Sequence, residues 1–409
     1  MTDSSGVLSP YRWIILAIMW CATFIGVAAQ FQVAALAYKI IPDLGLTPGN
    51  FAMILSAPML PAVFFSIAAG ALADRFGVKR VVAVGFAFSI VGAYFRYIAT
   101  EFWGLFILMF ISGIGPALLN ANVSKLLGAW FPKEQMGTAI GIYFTAAGIG
   151  MSLSLATSAA LFPTVKSAYT TAGILTFVIW ILWVVFIKAK PEGTPDLPAM
   201  PVLKYIGVAA RSRNIWLVGL ALMCFMGSNM AFTGFLPNAL TQVRGIDPAK
   251  AGVMTSVVTF GTIVGSIVGP FFSDKIGRIK PFLTPVAVLG AVVMYFSWAI
   301  QGPVDWTLLF ALGVLLGMSV PLLMAFPMLL PEIGPVYAGS AGGLMATLQL
   351  IGAFFIPSFI IAPLGGENYN ILFALASLFL FMVGVVELFL PELGVRASNK
   401  IDAKPEASL

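Results

Sequence analysis

Long apolar runs, each bounded by charged or turn-forming residues, recur along the whole chain. A hydrocarbon core about 30 Å thick takes about 20 helical residues to cross, and runs of that length are the primary sign of a membrane helix. Twelve runs qualify: Trp13 to Tyr38, Phe51 to Leu72, Val81 to Ala99, Trp103 to Gly128, Gly137 to Leu161, Tyr169 to Ile187, Ile215 to Ala239, Ala251 to Phe272, Pro281 to Ile300, Trp306 to Leu330, Gly339 to Ile361 and Ile371 to Leu390. The first is expected to remain as a membrane helix. It is too long for a cleaved signal peptide, carries Gln30 and Gln32, and lacks a small-residue cleavage site.

Composition strengthens this pattern. Of the 409 residues, 60% are apolar and 9% charged, against roughly 25% charged in soluble domains, which excludes a water-soluble enzyme. The 41 Gly and 26 Pro are tolerated in membrane helices, where neighbouring helices and polar side chains satisfy the freed backbone groups. The chain has no His and only two Cys, Cys21 and Cys224. The usual ligand sets for zinc, haem and iron–sulfur clusters are therefore absent from the sequence, and no metal or cofactor is expected.

The net charge of +6 raises nucleic acid as a partner, but the basic residues lie in short loops between apolar runs, where they set orientation. One side of the expected membrane receives sixteen Lys and Arg, the other five, with Lys125 assigned to neither. The excess places both termini in the cytoplasm. The longest loop, Lys188 to Asn214, carries Pro191, Pro195, Pro198 and Pro201 and separates six runs from six. The expected fold is an all-α membrane protein of two six-helix bundles: residues 1–190, a cytoplasmic linker at 191–213, and residues 214–409 with a cytoplasmic tail.

An internal repeat supports the division. Gly70 to Arg80 reads G-A-L-A-D-R-F-G-V-K-R, and Ser273 to Lys280 reads S-D-K-I-G-R-I-K, so that Asp74, Arg75 and Gly77 match Asp274, Lys275 and Gly277. Gly137-Thr138-Ala139 and Gly150 match Gly339-Ser340-Ala341 and Gly352. Two halves with the same helix order imply parallel repeats around an axis along the membrane normal, with a substrate path between them and alternating access by rocking.

These residues resemble the major facilitator superfamily over nearly the whole chain. The loop after the second run matches that superfamily's G-x-L-A-D-R-x-G-x-K-R signature at Gly70, Leu72, Ala73, Asp74, Arg75, Gly77, Lys79 and Arg80. The resemblance implies a gate for the cytoplasmic side at Gly70, Asp74, Arg75, Gly77 and Arg80, and in the weaker second copy at Asp274, Lys275 and Arg278. Asp74 would face a helix N-terminus or a basic partner in one conformation and lose it in the other. A turn that merely anchors helix ends at the headgroups is the plainer reading.

Ionisable groups inside a membrane are site candidates by default. All acidic residues except Glu387 fall in expected loops, tails or helix ends, and Glu387 lies within about one turn of the end of the last run, where water is expected to reach it. No carboxylate or His then remains to relay protons, and a cationic substrate finds no counter-charge. Lys125 is the main basic exception, about 33 Å along the fourth helix from Trp103 at 1.5 Å per residue. Asn122 shares its helical face, and Asn120 and Ser124 add hydrogen-bonding groups. An ammonium among amides suits a carboxylate; a lysine snorkelling to the headgroups fits the same position.

The string N-A-N-V-S-K-L-L-G-A-W-F-P, Asn120 to Pro132, is similar to the fourth-helix segment of organic-anion branches of the superfamily, such as the anion:cation symporters. That similarity implies a substrate contact at Lys125, where the branch usually has Arg. Arg96, near the end of the third run, reads as an interfacial anchor beside Tyr97 and Trp103, with substrate binding as the alternative. Its surroundings through Gly113-Ile114-Gly115 also resemble cyanate- and nitrate-type porters. Those porters carry Arg in the second and eighth helices; this chain has none between Asn50 and Gly70 or between Ala251 and Asp274.

Uncharged groups expected to line the path are Gln30 and Gln32 on the first helix, Tyr143 and Thr145 on the fifth, Ser228, Asn229 and Thr233 on the seventh, and Thr347 and Gln349 on the eleventh. Each could instead make an interhelical hydrogen bond. The glycines of the fifth and eleventh helices read as close-packing surfaces, and the fifth lacks the Gly-Pro element that marks drug:proton antiporters. The expected function is secondary transport of a small organic anion, of monocarboxylate size, across a bacterial inner membrane. Lys125, Asn122, Asn120, Gln30, Asn229, Tyr143 and Gln349 are the expected binding residues, with a co-transported proton or counter-anion as partner. Alternatives are a porter of cyanate- or nitrate-like ions, a carrier of a hydrophobic or zwitterionic compound, and a membrane receptor; no nucleophile and base pair supports an enzyme.

Overall fold

The computed structural model describes residues 10–190, 207–300, 302, 304–330 and 332–393. Residues 191–206 of the linker expected at 191–213, the tail from 394 with Arg396, Lys400 and Lys404, and the first nine residues lie outside it. Twelve helices among the described residues are long and apolar enough to cross a membrane. Numbering these alone, they are α1 Tyr11–Ala35, α2 Pro48–Ser56 continued by Leu60–Phe76, α3 Val78–Tyr94, α4 Phe102–Ser112 continued by Ile114–Trp130, α5 Lys133–Leu161, α6 Val165–Phe186, α7 Arg213–Gln242, α8 Pro248–Ile276, α9 Lys280–Ala299, α10 Val304–Leu329, α11 Gly334–Phe355 and α12 Tyr369–Glu387. A helix satisfies its own backbone groups, which is why each apolar run resolves into one.

Helix starts follow their local chemistry. Thr47 accepts from Asn50 N at 3.2 Å with Pro48 next to it, and Thr164 and Ser167 form a reciprocal cap on α6, so orphan N–H groups are satisfied where the helices begin. Two expected spans are not simple rods. Helix α2 passes through a tight turn at Ala57–Met59, because Pro58 removes a backbone donor. That turn rests on Gly113, where a β-carbon would lie 2.1 Å from Pro58 O. Helix α11 ends in a wide turn at Ile356–Ile361 around Pro357.

The chain forms two compact units, Met1–Met200 with Gly234–Ser256, and Pro201–Thr233 with Val257–Leu409. In the first, α1 packs on α5 and α6, and α3 packs on α4 and α6. Indole donors cross this core: Trp183 Nε1 reaches Lys79 O at 3.1 Å and Trp180 Nε1 reaches Ala83 O at 2.9 Å. In the second unit α9 packs on α10 and α12, and Ser228 Oγ donates to Ala376 O at 2.7 Å.

Both units keep the repeat. The turn between α2 and α3 is made at Gly77 with φ +84°, and its counterpart between α8 and α9 at Gly277 with φ +70°. At Gly77 ψ is 141°, close to a region that only glycine occupies without strain of about 1–3 kcal/mol. Gly77→Ala should therefore lower the thermal midpoint of the purified protein, whereas Gly70→Ala, where a β-carbon meets nothing within 4 Å, should not. The second echo also holds: a β-carbon at Gly150 would lie 2.6 Å from Phe24 O, and one at Gly352 2.1 Å from Met223 O. The equivalent helix pairs α5 on α1 and α11 on α7 are thus brought to backbone contact by the same glycine. The wider expectation for the glycines of α5 and α11 needs correcting. Gly137, Gly141, Gly339, Gly342 and Gly343 have nothing within 4 Å of a built β-carbon among the described residues.

Candidate functional site

The α4 string from Asn120 to Trp130 turns its polar residues to two sides. Lys125 and Asn122, three residues apart, both face α2, as helical spacing dictates. Lys125 Nζ forms an ion pair with Asp74 Oδ1. Asn122 is 1% exposed and donates to Leu118 O at 2.9 Å and Ala69 O at 3.4 Å. Its amide therefore ties α4 to α2 one turn from the pair. Asn120 faces the other way, where Thr23 Oγ1 donates to Tyr143 Oη at 2.9 Å and Tyr143 Oη donates to Asn120 Oδ1 at 2.5 Å. This relay joins α1, α5 and α4, and because Asn120 accepts through Oδ1, its exposed amide nitrogen is the end left to donate.

The side chains of Lys125 and Asp74 are 34% and 42% exposed. A pair so open to solvent stabilises by only about 0–1 kcal/mol, so it can exchange partners. Arg75 stacks over its neighbour Phe76 at 5.2 Å and Arg80 is exposed. In the second unit Asp274, Lys275 and Arg278 are all exposed around Gly277.

The remaining sequence candidates are dispersed. Gln30 donates to Leu55 O at 2.9 Å in the first unit, and Gln32 beside it is buried with Oε1 unpaired. In the second unit Asn229 is half-buried, with its backbone oxygen taken by Thr233 Oγ1 at 2.7 Å, and Gln349 is half-buried on α11. Lys125 and Asn122 converge on α2, Asn120 and Tyr143 converge on α1, and Gln30, Asn229 and Gln349 join neither group by any hydrogen bond.

Two expectations are overturned. Glu387 does not reach water: it is 1% exposed, and neither carboxyl oxygen has a hydrogen-bond partner among the described residues. The helix pairing α9 on α12 encloses it, with Thr284 O 3.5 Å from a β-carbon built at Gly384 one turn earlier. Arg96 is no interfacial anchor. It is 1% exposed, in the helical turn Phe95–Ile98 that ends α3, because the chain there folds back under α6.

Glu332, between α10 and α11, accepts from Asn214 Nδ2 at 2.8 Å and Ser212 Oγ at 3.1 Å. Partial burial raises its carboxyl pKa, but these bonds and its own backbone N–H outweigh that and hold it below the ordinary value. A depressed pKa contributes stability above the unfolded-state value and loses it as pH falls through the folded-state value. The difference in melting temperature between the wild type and Glu332→Gln should therefore shrink on acidification below the usual carboxylate range, and stay constant from there to neutrality.

Two repeated helical units, each with a glycine turn flanked by charge at the same place, fit a polytopic membrane transporter. The chain belongs to the Major Facilitator Superfamily, whose model matches residues 18–357. It is similar to the probable nitrate/nitrite antiporter NarK1 of Thermus thermophilus, 24% identical over 84% of either chain. It is 28% identical to the probable nitrate transporter NarT of Staphylococcus aureus over 89% of this chain and 91% of that one. It is 24% identical to the probable sulfoacetate transporter SauU of Cupriavidus necator over 90% and 94%. The fold matches a bacterial homologue of the lysosomal transporter Spinster, solved inward-facing and occupied, with TM-score 0.77, 13% identity and coverage of 93% and 97%. It also matches the nucleoside transporter NupG, with TM-score 0.73, 13% identity and coverage of 91% and 99%.

Proposed function

We propose that this transporter carries a small organic anion, of about monocarboxylate size, that bears a carboxylate or sulfonate head, and that Lys125 is the residue that receives it. The Lys125–Asp74 pair carries this reading. It links the basic residue of α4 to the gate motif through an interaction weak enough for an incoming anion to replace, so arrival of cargo would release Asp74 and free the α2–α3 turn. Asn120 and Tyr143 would orient the cargo from the α1 side, with Gln30, Asn229 and Gln349 as further polar contacts and Asn122 holding α4 against α2. Lysine acts as a point charge, which suits a carboxylate or sulfonate, and the likeness to a sulfoacetate transporter supports that class. Transport of nitrate or nitrite is the second reading, favoured by the other named relatives.

A co-transported proton or a counter-anion would balance the charge moved, and Glu387, buried without a partner among the described residues, is the candidate for the proton. The proposed setting is the bacterial inner membrane with both termini cytoplasmic, as the distribution of Lys and Arg supports. The test is counterflow into proteoliposomes loaded separately with sulfoacetate, short monocarboxylates, nitrate, nitrite and the neutral amides of the acids. Competition by the organic acids supports the reading. Exchange of nitrate with nitrite alone replaces it by the second, and exchange of neutral solutes alone ends both.

A further inference from the structure

At the end of the first unit opposite Asp74, the closing turn of α3, the first turn of α6 and the short helix Ala37–Asp43 surround a cavity of about 150 Å³. Its chemistry is cationic. Arg96, Lys166, Tyr97, Tyr169 and Asp43 line it together with apolar walls such as Leu105. Arg96 is 1% and Tyr169 2% exposed, while Lys166 and Asp43 are exposed.

The guanidinium is held in place but incompletely used. Its Nη1 donates to Ala29 O at 2.9 Å and meets Met109 Sδ at 3.2 Å, its Nε lies 3.3 Å from Ala93 O, and its plane sits over the Tyr169 ring at 5.0 Å. Carbonyls, a thioether and an aromatic face are dipolar partners; none carries the negative charge that a buried guanidinium requires. Its Nη2 is buried without any partner, and so is the Tyr169 hydroxyl. Arg96 and Tyr169 both line the cavity, and two unfilled polar atoms in its wall, neither with accessible surface, are rare in native proteins; an anion entering the cavity gives them an acceptor once the side chains turn toward it. Lys166 adds a second positive charge, its Nζ 5.0 Å from the Tyr97 ring. The acid Asp43 offsets one of the two charges, leaving the lining net positive.

We propose that this cavity binds a small monovalent anion, with Arg96 Nη2 and the Tyr169 hydroxyl as its direct donors and Lys166 as the charge that attracts it. The volume holds a carboxylate, nitrate or chloride with a few waters, since one water occupies about 30 Å³ of liquid. The site is separate from Lys125, at the far end of α3 from the gate turn. It extends the anion reading above to a second location and does not need Lys125 to be the transported anion's receiver. Two sources of the ligand share this chemistry: chloride as a resident counter-ion, and the transported acid held before or after passage.

The experiment is thermal unfolding of the purified full-length protein in detergent, titrated with sodium acetate, nitrate or chloride at constant ionic strength set by gluconate. The wild type should be stabilised saturably. The series is read in the Lys125→Gln background, which removes any contribution from the proposed cargo site, so failure of the Lys125 assignment and failure of this one are told apart. A saturable effect should persist there; adding Tyr169→Phe, which deletes one hydroxyl without changing shape, should weaken its apparent Kd three- to tenfold, and adding Arg96→Gln should abolish it. Saturation by chloride alone identifies a resident ion; preference for acetate or nitrate over chloride identifies the transported class. No saturable effect in the wild type or in the Lys125→Gln background, or an unchanged Kd when Tyr169→Phe is added to that background, overturns the proposal, and Tyr169→Phe decides the matter if Arg96→Gln does not fold.

Discussion

Gly313→Leu should yield no folded transporter, whereas Gly339→Ala should purify and melt like the wild type. The difference lies in what a side chain would meet. Gly261, Gly265 and Gly269 on α8 interlock with Gly313 and Gly317 on α10. A β-carbon would lie 2.0 Å from Val314 O at Gly265, 2.1 Å from Val258 O at Gly313 and 2.1 Å from Thr262 O at Gly317. In each case the obstacle is backbone, which no rotamer change can move. Such close approach of membrane helices is driven by packing, because lipid gives no hydrophobic force between them. Prising the two helices apart would forfeit that packing along their whole contact, a loss of more than about 4 kcal/mol, large for a single substitution. At Gly339 nothing lies within 4 Å. Size-exclusion profiles and thermal melts of the two variants check the contrast; a well-behaved Gly313→Leu would contradict the packing described for α8 and α10.

Lys125→Gln should lower anion uptake roughly 30- to 150-fold, the loss expected when one hydrogen bond to a charged group, worth about 2–3 kcal/mol, is removed from a bound ion. The fold should survive, because the half-exposed pair with Asp74 adds at most about 1 kcal/mol. Uptake rates normalised to the amount of reconstituted protein check this. Lys125→Arg should retain most transport, since the charge is kept.

Helix existence and order were legible in the sequence because a membrane helix announces itself by length and apolarity alone. The repeat was legible for a related reason: Gly77 and Gly277 are needed for positive φ, and Gly150 and Gly352 for backbone contact, so both survive in each half. The breaks in α2 and α11 were not, because Pro58 and Pro357 do not say how a helix will accommodate them until a partner such as Gly113 is known. Gly261, Gly265 and Gly269 share the small-residue spacing of the α5 and α11 glycines, and only the partner helix separates a packed glycine from an open one. Asn122 and Lys125 fell on one face as their spacing requires, but that Asp74 lies opposite depends on how α2 packs against α4. Arg96 and Glu387 depart from the sequence expectation for one reason. Distance from a helix end does not measure access to water where that end is covered by chain that returns from elsewhere, α6 over Arg96 and α9 over Glu387.

The most direct test is binding of the anion that counterflow selects, measured by isothermal titration on wild type, Asp74→Asn, Lys125→Gln and the double variant. If Lys125 passes between Asp74 and the cargo, removing the competing carboxylate should tighten binding two- to fivefold, matching an interaction of up to about 1 kcal/mol. Lys125→Gln should then weaken it more than tenfold, and the double variant should match Lys125→Gln alone. Wild-type affinity in Lys125→Gln, or weakened binding in Asp74→Asn, would contradict the exchange.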